Sequence, residues 1–263
     1  MSEFRIDQIT NQSGSRGPDI AGITTFTGTS GMVMPSGDTS RRYVSDFVPN
    51  NVITDGLVIY LDAGNSASYP GSGTTWTDLS GQGNDATLVN GVEYDGESLV
   101  FDGVDENATV GSSVLTTGET SISMWVKPDS NQTSGLGDLN VGGGGLILYQ
   151  IGTIIMMGFR GGTPEMKTTT QFITSNVWNH ITWVYNNGSK SSTSSFQIYL
   201  NSEIEPTLTT SGAIAGGTVF NRIGSDQNAP YFDGNIAQVS IYNKALTAEE
   251  VQQNYNALKG RYI

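Results

Sequence analysis

Catalysis or ligand binding by this chain must come from oxygen and aromatic side chains, because the 263 residues contain no cysteine and one histidine. Thiol nucleophiles, disulfides and zinc-thiolate sites are thereby excluded. A Ser-His-Asp triad would have to use His180. That residue lies in the strand-like run Trp178-Asn179-His180-Ile181-Thr182-Trp183-Val184, and the chain has no Gly-x-Ser-x-Gly elbow. His180 is therefore read as structural. A retaining glycosidase needs two carboxylates a few ångströms apart. Glu203 and Glu205 come closest in sequence, but they run into Pro206 in a turn-like segment. No catalytic residue is assigned, and the chain is expected not to be an enzyme. Asp62, Asp78, Asn84, Asp102 and Asp233 offer the hard oxygens that calcium takes. The alternative is that the same side chains only cap turns.

The elements that would position these groups are short strands. Leu57-Val58-Ile59-Tyr60-Leu61-Asp62 reads as a buried strand, and Ser98–Gly103 as another that ends in a turn. Ser121–Pro128 alternates, with Ile122, Met124 and Val126 on one face and Trp125 on the other. Gly145–Tyr149, Thr153–Phe159, Trp178–Tyr185, Phe196–Leu200, Thr218–Ile223 and Ile236–Tyr242 continue the series, with Gly, Asn and Asp turns between them. The Gly/Ser/Asn-rich run 129–145 is expected to be a mobile loop. One helix is signalled at the end. Thr247 and Glu250 have the spacing of a capping box, Leu246 and Val251 that of a hydrophobic staple, and Gly260 is expected to end the helix. With 34 glycines and only 14% charged residues, the composition fits an all-β sandwich and not a helical bundle.

The net charge is −13. Residues 1–48 carry four Arg against five acidic residues, so nearly all of the negative charge lies beyond them. An acidic surface repels phosphate backbones, so nucleic acid is not expected as a partner. Residues 1–20 contain no apolar secretory core and no window approaches a membrane span, so synthesis in a cytoplasm is expected, with no membrane contact.

Residues 1–48 differ from the rest in being too thin in apolar residues to bury a core of their own. Apolar residues nevertheless recur in them. They are expected to form an extended N-terminal arm that orders on a partner, followed by a linker at 49–55 and a sandwich domain at 56–263. A flexible tail is the alternative.

Several segments together are similar to the laminin-G-like, concanavalin A-like lectin/glucanase domains. They are Gly56–Asp62, the loop Trp76-Thr77-Asp78-Leu79-Ser80-Gly81-Gln82-Gly83-Asn84-Asp85-Ala86, Leu99–Gly103, Ser121–Pro128, Trp178–Ile181, and Phe232-Asp233-Gly234-Asn235-Ile236 through Thr247. They cover about residues 55–258 in the family's order. The resemblance implies an antiparallel jelly-roll β-sandwich with a short C-terminal helix. It brings Asp62, Asp78, Asn84 and Asp102, with Asp233, towards one end as a calcium set. It also implies carbohydrate binding, with Trp76, Tyr69 and Tyr231, and beside them Tyr149, Phe159 and Phe232, as candidate sugar-facing aromatics. The Glu-x-Asp-x-x-Glu strand of the fold's glucanases is missing, and Ala237-Gln238 stand where many relatives have acidic residues. In the arm, Met34-Pro35-Ser36-Gly37-Asp38-Thr39-Ser40-Arg41-Arg42 looks like an element of phage tail-fibre and head-fibre proteins. Phe4–Thr10 and Ile23–Phe26 look like the N-termini of virion proteins of marine cyanophages. This implies a virion surface protein whose Phe4, Ile6, Ile9, Ile23, Phe26, Met32, Met34, Arg41 and Arg42 anchor it to capsid, neck or tail proteins. Host-surface glycans are implied as partners, and a homotrimer by analogy with fibres. A free lectin is the alternative, and a glycoside hydrolase the third reading.

Overall fold

Ile59 and Leu61 are fully buried while Val58 and Tyr60 between them are half-buried, the period-two alternation of a strand with one face in a core. The computed structural model describes residues 51–111, 118–141, 144–161, 163–213, 221–226 and 230–263. The arm, with every anchoring residue named above, lies outside them. Along the described chain run β1 (Leu57–Asp62), β2 (Thr75–Trp76), β3 (Ala86–Val89), β4 (Glu93–Tyr94), β5 (Leu99–Asp102), β6 (Asn107–Val110), β7 (Thr120–Pro128), β8 (Thr133–Val141) and β9 (Gly144–Ile151). Then come β10 (Ile154–Phe159), β11 (Pro164–Phe172), β12 (Asn179–Tyr185), β13 (Phe196–Leu200), β14 (Glu203–Ile204), β15 (Thr209–Ala213), β16 (Arg222–Ile223), β17 (Asp233–Tyr242) and the helix α1 (Ala248–Tyr262).

The strands pair antiparallel into two sheets. The first has the order β14-β13-β12-β7-β17-β5-β4, and β1 also pairs with β17. The ten residues of β17 serve both neighbours on that side: its first half pairs with β5 and its second half with β1. The second sheet has the order β15-β11-β10-β9-β8-β16-β6-β3-β2. Facing side chains from both sheets make one core that includes Ile59, Leu61, Phe101, Met124, Leu148, Met157, Trp183 and Val239. This is the expected jelly-roll sandwich.

The outer face of the first sheet is covered by α1. Trp125 points away from the core, as the alternation of Ser121–Pro128 predicts. It is fully buried among Ala237, Leu258, Val52, Trp178, Tyr255 and Tyr262, with Tyr255 stacked on it at 5.6 Å. The helix starts where the sequence places it. Thr247 Oγ1 accepts from Glu250 N (3.3 Å), Glu250 Oε2 accepts from Thr247 N (3.0 Å), and Leu246 packs in one cluster with Val251. It does not end at Gly260. Arg261 is drawn to Asp62 and Tyr262 packs against Trp125 and Trp178, contacts that outweigh the roughly 1 kcal/mol helix cost of a glycine. Residues of the expected linker are tied to this helix: Ile53 N donates to Asn254 Oδ1 (2.8 Å) and Asn51 O accepts from Gln253 Nε2 (2.9 Å).

The run 129–145 is not a loop. Most of it forms β8, with Leu136 and Leu139 in the core and a bulge between Gly135 and Gly137. One of its glycines serves packing, since residues 225 and 226 lie against Gly135 where any Cβ would collide with them. Pairing with β9 overrides the poor strand propensity of the run. Of the strand expected at Thr218–Ile223, residues Arg222–Ile223 are seen as β16, and 218–220 lie outside the described residues.

Candidate functional site

The loop from Asp78 to Asn84 is built around one carboxylate. Asp78 Oδ1 accepts from the backbone N–H of Tyr60 (2.8 Å) and Ser80 (2.9 Å), and Oδ2 from Asn84 N (2.9 Å) and Ser80 Oγ (2.7 Å). Asn84 Nδ2 in turn donates to Val58 O at 2.8 Å. Asp78 thus ties the motif loop to β1. Its oxygens are filled by protein donors, as a turn-capping residue's are.

Asp62, at the end of β1, is committed differently. Arg261 grips it in a two-pronged pair, with Nη1 to Oδ2 and Nη2 to Oδ1 both at 2.8 Å. Gly64 N and Tyr60 Oη also donate to it. Burial first, then the Asp62 charge, push the Tyr60 hydroxyl above its ordinary range. The Arg261 pair fixes the last turn of α1 to the sandwich.

Asp102 and Asp233 belong to two copies of one tripeptide, Phe101-Asp102-Gly103 and Phe232-Asp233-Gly234, which meet in the β5–β17 ladder with Asp102 directly opposite Asp233. The two phenylalanines pack edge to face at 6.4 Å. Gly103 has φ +72° and a Cβ there would sit 2.8 Å from that of Asp233. Gly234 has φ +138°, and a Cβ on it would collide with the Lys127 carbonyl. Only glycine fits either turn. Burial, then the charges of Asp129 and Asp102, raise the Asp233 carboxyl above its ordinary value. Asp102 Oδ1 accepts from Val104 N at 2.8 Å.

The five expected calcium ligands therefore form two groups, Asp62 with Asp78 and Asn84 around β1, and Asp102 with Asp233 at the paired turns. The carboxylates of Asp62 and Asp78 accept from protein donors, and Asn84 gives its backbone N–H and Nδ2 to Asp78 and Val58. Among the described residues no three His, Cys, Asp or Glu side chains are arranged to hold a metal ion.

The aromatic candidates are mostly core. Trp76 is fully buried, Tyr69 is 3% exposed with its hydroxyl on Gly73 O, and Phe159 and Phe232 are buried. None of these four shows a ring face to solvent, because all four belong to the core between the sheets. Tyr149 is buried too, on the outer face of the second sheet beside Ile147 and Met156, with its hydroxyl donating to Glu165. Tyr231 is half-buried.

Two carboxylate sites are invisible in the sequence. Glu205 accepts from three consecutive backbone N–H groups, Thr169 (3.1 Å), Thr170 (3.0 Å) and Gln171 (2.8 Å), and from the hydroxyls of Thr169 and Thr170. Burial alone would raise its pKa, but these donors bring it down to about 2. It borders an open cavity of about 340 Å³ with Phe196, Ile204, Pro206 and Leu208. The second site is a buried ion triad. Arg160 Nη2 lies 3.2 Å from Asp138 and also pairs with Asp226. Neither aspartate is otherwise free. Short-range sequence patterns cannot show either site, because the partners lie on different strands.

His180 is 1% exposed, with Nε2 3.1 Å from Ser123 Oγ and its ring against Trp125. Burial lowers its pKa to about 3, so it is a neutral structural residue at physiological pH.

A family model described as the concanavalin A-like lectin/glucanases superfamily, of the laminin-G type, matches residues 101–252. The chain belongs to this superfamily. Solved structures show the same fold at low sequence identity. Domain 4 of the arabinanase AbnA from Geobacillus stearothermophilus, solved with arabinotriose, is 18% identical with a TM-score of 0.52, over 76% of this chain and 98% of that domain. Trypanosoma rangeli sialidase is 16% identical with a TM-score of 0.55, over 78% of this chain but 33% of its own length. The binding domain of Paraclostridial Mosquitocidal Protein 1 is 18% identical with a TM-score of 0.51, over 78% of this chain and 52% of that one. No curated protein matches the chain. As a member of the superfamily, the chain places its laminin-G motifs at structural hubs, the Asp78 loop and the paired Phe-Asp-Gly turns.

Proposed function

We propose that this chain is a non-catalytic phage virion protein. Residues 1–48 anchor it to capsid, neck or tail, and the concanavalin A-like sandwich is displayed outward to adhere to host-surface glycans. The observation that carries the non-catalytic half is the commitment of the buried carboxylates. Asp62, Asp78, Glu106 and Glu205 each accept backbone or guanidinium donors in the resting fold, so these four carboxylates hold structure together and do not stand as an opposed acid and base. Membership of a lectin-containing superfamily supports glycan adhesion, and the arm's likeness to virion N-termini supports the particle. The protein is made in the host cytoplasm and reaches the virion surface by assembly, in fibre-like trimers.

Deleting residues 2–48 tests the anchoring. The truncated chain is expected to fold, remain soluble and fail to join particles; incorporation at the full-length level would refute the role of the arm. A free lectin is the second reading, favoured by the match covering the sandwich alone. A specific hit on a glycan array, together with absence of the chain from purified particles, would establish it. Polysaccharide turnover abolished by a carboxylate substitution would overturn the non-catalytic reading.

A further inference from the structure

The chain contains two Asn-Gly steps, Asn90-Gly91 and Asn187-Gly188. Both lie at exposed turns with the asparagine in the left-handed region, φ 66° at Asn90 and 62° at Asn187. An Asn-Gly step can react with itself. The glycine nitrogen attacks the asparagine side-chain carbonyl, a C–N bond forms, and ammonia leaves to give a succinimide. Water then opens the ring at either carbonyl to give aspartate or isoaspartate. The net change is loss of ammonia and gain of water, with no oxidant or reductant.

The surroundings of the two steps differ. The Asn90 carboxamide is held, with Nδ2 donating to Asp105 O at 3.0 Å. Glu106 Oε1 lies 3.8 Å from where a Gly91 Cβ would stand, and Glu93 and Asp105 are close to Glu106. A negative field of this kind opposes ionisation of the attacking N–H. Among the described residues the Asn187 carboxamide has no hydrogen-bond partner, though it lies close to Gly118. The cation near that turn is Lys190, whose Nζ lies 4.2 Å from the centre of the Phe159 ring. Gly188 N donates to Asn186 Oδ1 at 3.1 Å, so attack requires this small turn to open.

We propose that Asn187-Gly188 is a self-modification site that converts to aspartate and isoaspartate well ahead of Asn90-Gly91. The product reaches the core. Gly188 O accepts from Tyr185 Oη at 2.7 Å, and the Tyr185 ring packs on Phe159 and Phe196. An isoaspartate lengthens the backbone beside that bond and adds a negative charge.

The test is peptide mapping of the full-length folded protein aged in mildly alkaline buffer, with isoaspartate scored by enzymatic carboxyl methylation. The Asn187 peptide is expected to convert about threefold to tenfold faster than the Asn90 peptide, a gap set by the carboxylates beside Gly91, since each step must first break one hydrogen bond. In denaturant the two steps should react alike. Equal rates in the folded protein, or faster conversion at Asn90, would overturn the proposal, as would a gap that persists in denaturant. Asn187→Ala, which leaves Asn186 before a residue with a Cβ and no hydroxyl, should abolish the methyl-accepting signal at this turn and leave the signal from Asn90 unchanged. A methyl-accepting signal from that turn in this variant would also refute the assignment.

Discussion

Glu205→Gln is the sharpest test of the structure. The substitution keeps the side chain's shape, removes its charge and turns one acceptor into a donor facing the N–H groups of Thr169, Thr170 and Gln171. The carboxyl's pKa falls from an ordinary 4.5 to about 2. At about 1.4 kcal/mol per pH unit, this bounds the charge's contribution near 3 kcal/mol. Water in the adjoining open cavity screens the interaction, which brings the expectation to about 1–2 kcal/mol. The folded pKa lies below the unfolded one. The contribution is therefore complete above pH 4.5 and is lost as the pH falls towards 2. Urea unfolding of the wild type and of Glu205→Gln at a series of pH values measures this. The difference should be about 1–2 kcal/mol at neutral pH and shrink towards zero at the acid end. A difference that is the same at all pH values would show that shape, and not charge, is at stake. No difference at neutral pH would refute the bonding scheme.

Four further outcomes are expected. Arg160→Ala removes the cation between two buried carboxylates and should cost about 3–5 kcal/mol, read as a lower urea midpoint at unchanged slope. Asp78→Asn puts a donor against N–H groups and should cost about 2 kcal/mol, with accelerated hydrogen exchange confined first to residues 78–84. Arg261→Ala should free the last turn of α1 and destabilise by about 1–2 kcal/mol, with a rise in Trp fluorescence quenching as Trp125 gains water. Calcium should leave the melting temperature unchanged. A rise abolished by Asp102→Asn or Asp233→Asn would place an ion at the paired Phe-Asp-Gly turns.

What sequence could reveal followed the range of the interaction. The capping box at Thr247 and Glu250 is local, three residues apart, and its geometry is as the spacing predicts. The alternation of Ser121–Pro128 correctly set Trp125 apart from Ile122, Met124 and Val126, because period two is a property of the strand itself. The grip of Arg261 on Asp62 spans 199 residues, and that of Glu205 on β11 spans 34 to 36. No window of sequence contains both partners. The same distance explains Gly260, whose local signal to stop a helix is overruled by Asp62. It also explains Trp76 and Tyr69, since an aromatic's type does not tell whether its ring closes a core or faces solvent. In 129–145 composition misled, because Gly135, one of the glycines that suggest a loop, is where a neighbouring backbone lies against the strand. The Asp78–Asn84 loop was recognisable as a motif, but its role is architectural: the carboxylate organises its own loop.

The placement of β17 sets when this protein can exist. That strand joins β7 to both β5 and β1 in the first sheet, and it is the last strand of the sandwich to be synthesised. Without it the sheet falls into three disconnected pieces, one of β14, β13, β12 and β7, one of β5 and β4, and β1 alone. The pieces can pair within themselves, but joining them into one sheet waits for residues 233–242, a long-range closure that is slow and leaves strand edges open to aggregation. A copy that stops before Asp233 has most of the residues but lacks the strand that joins β7 to β5 and β1, and so cannot complete the first sheet.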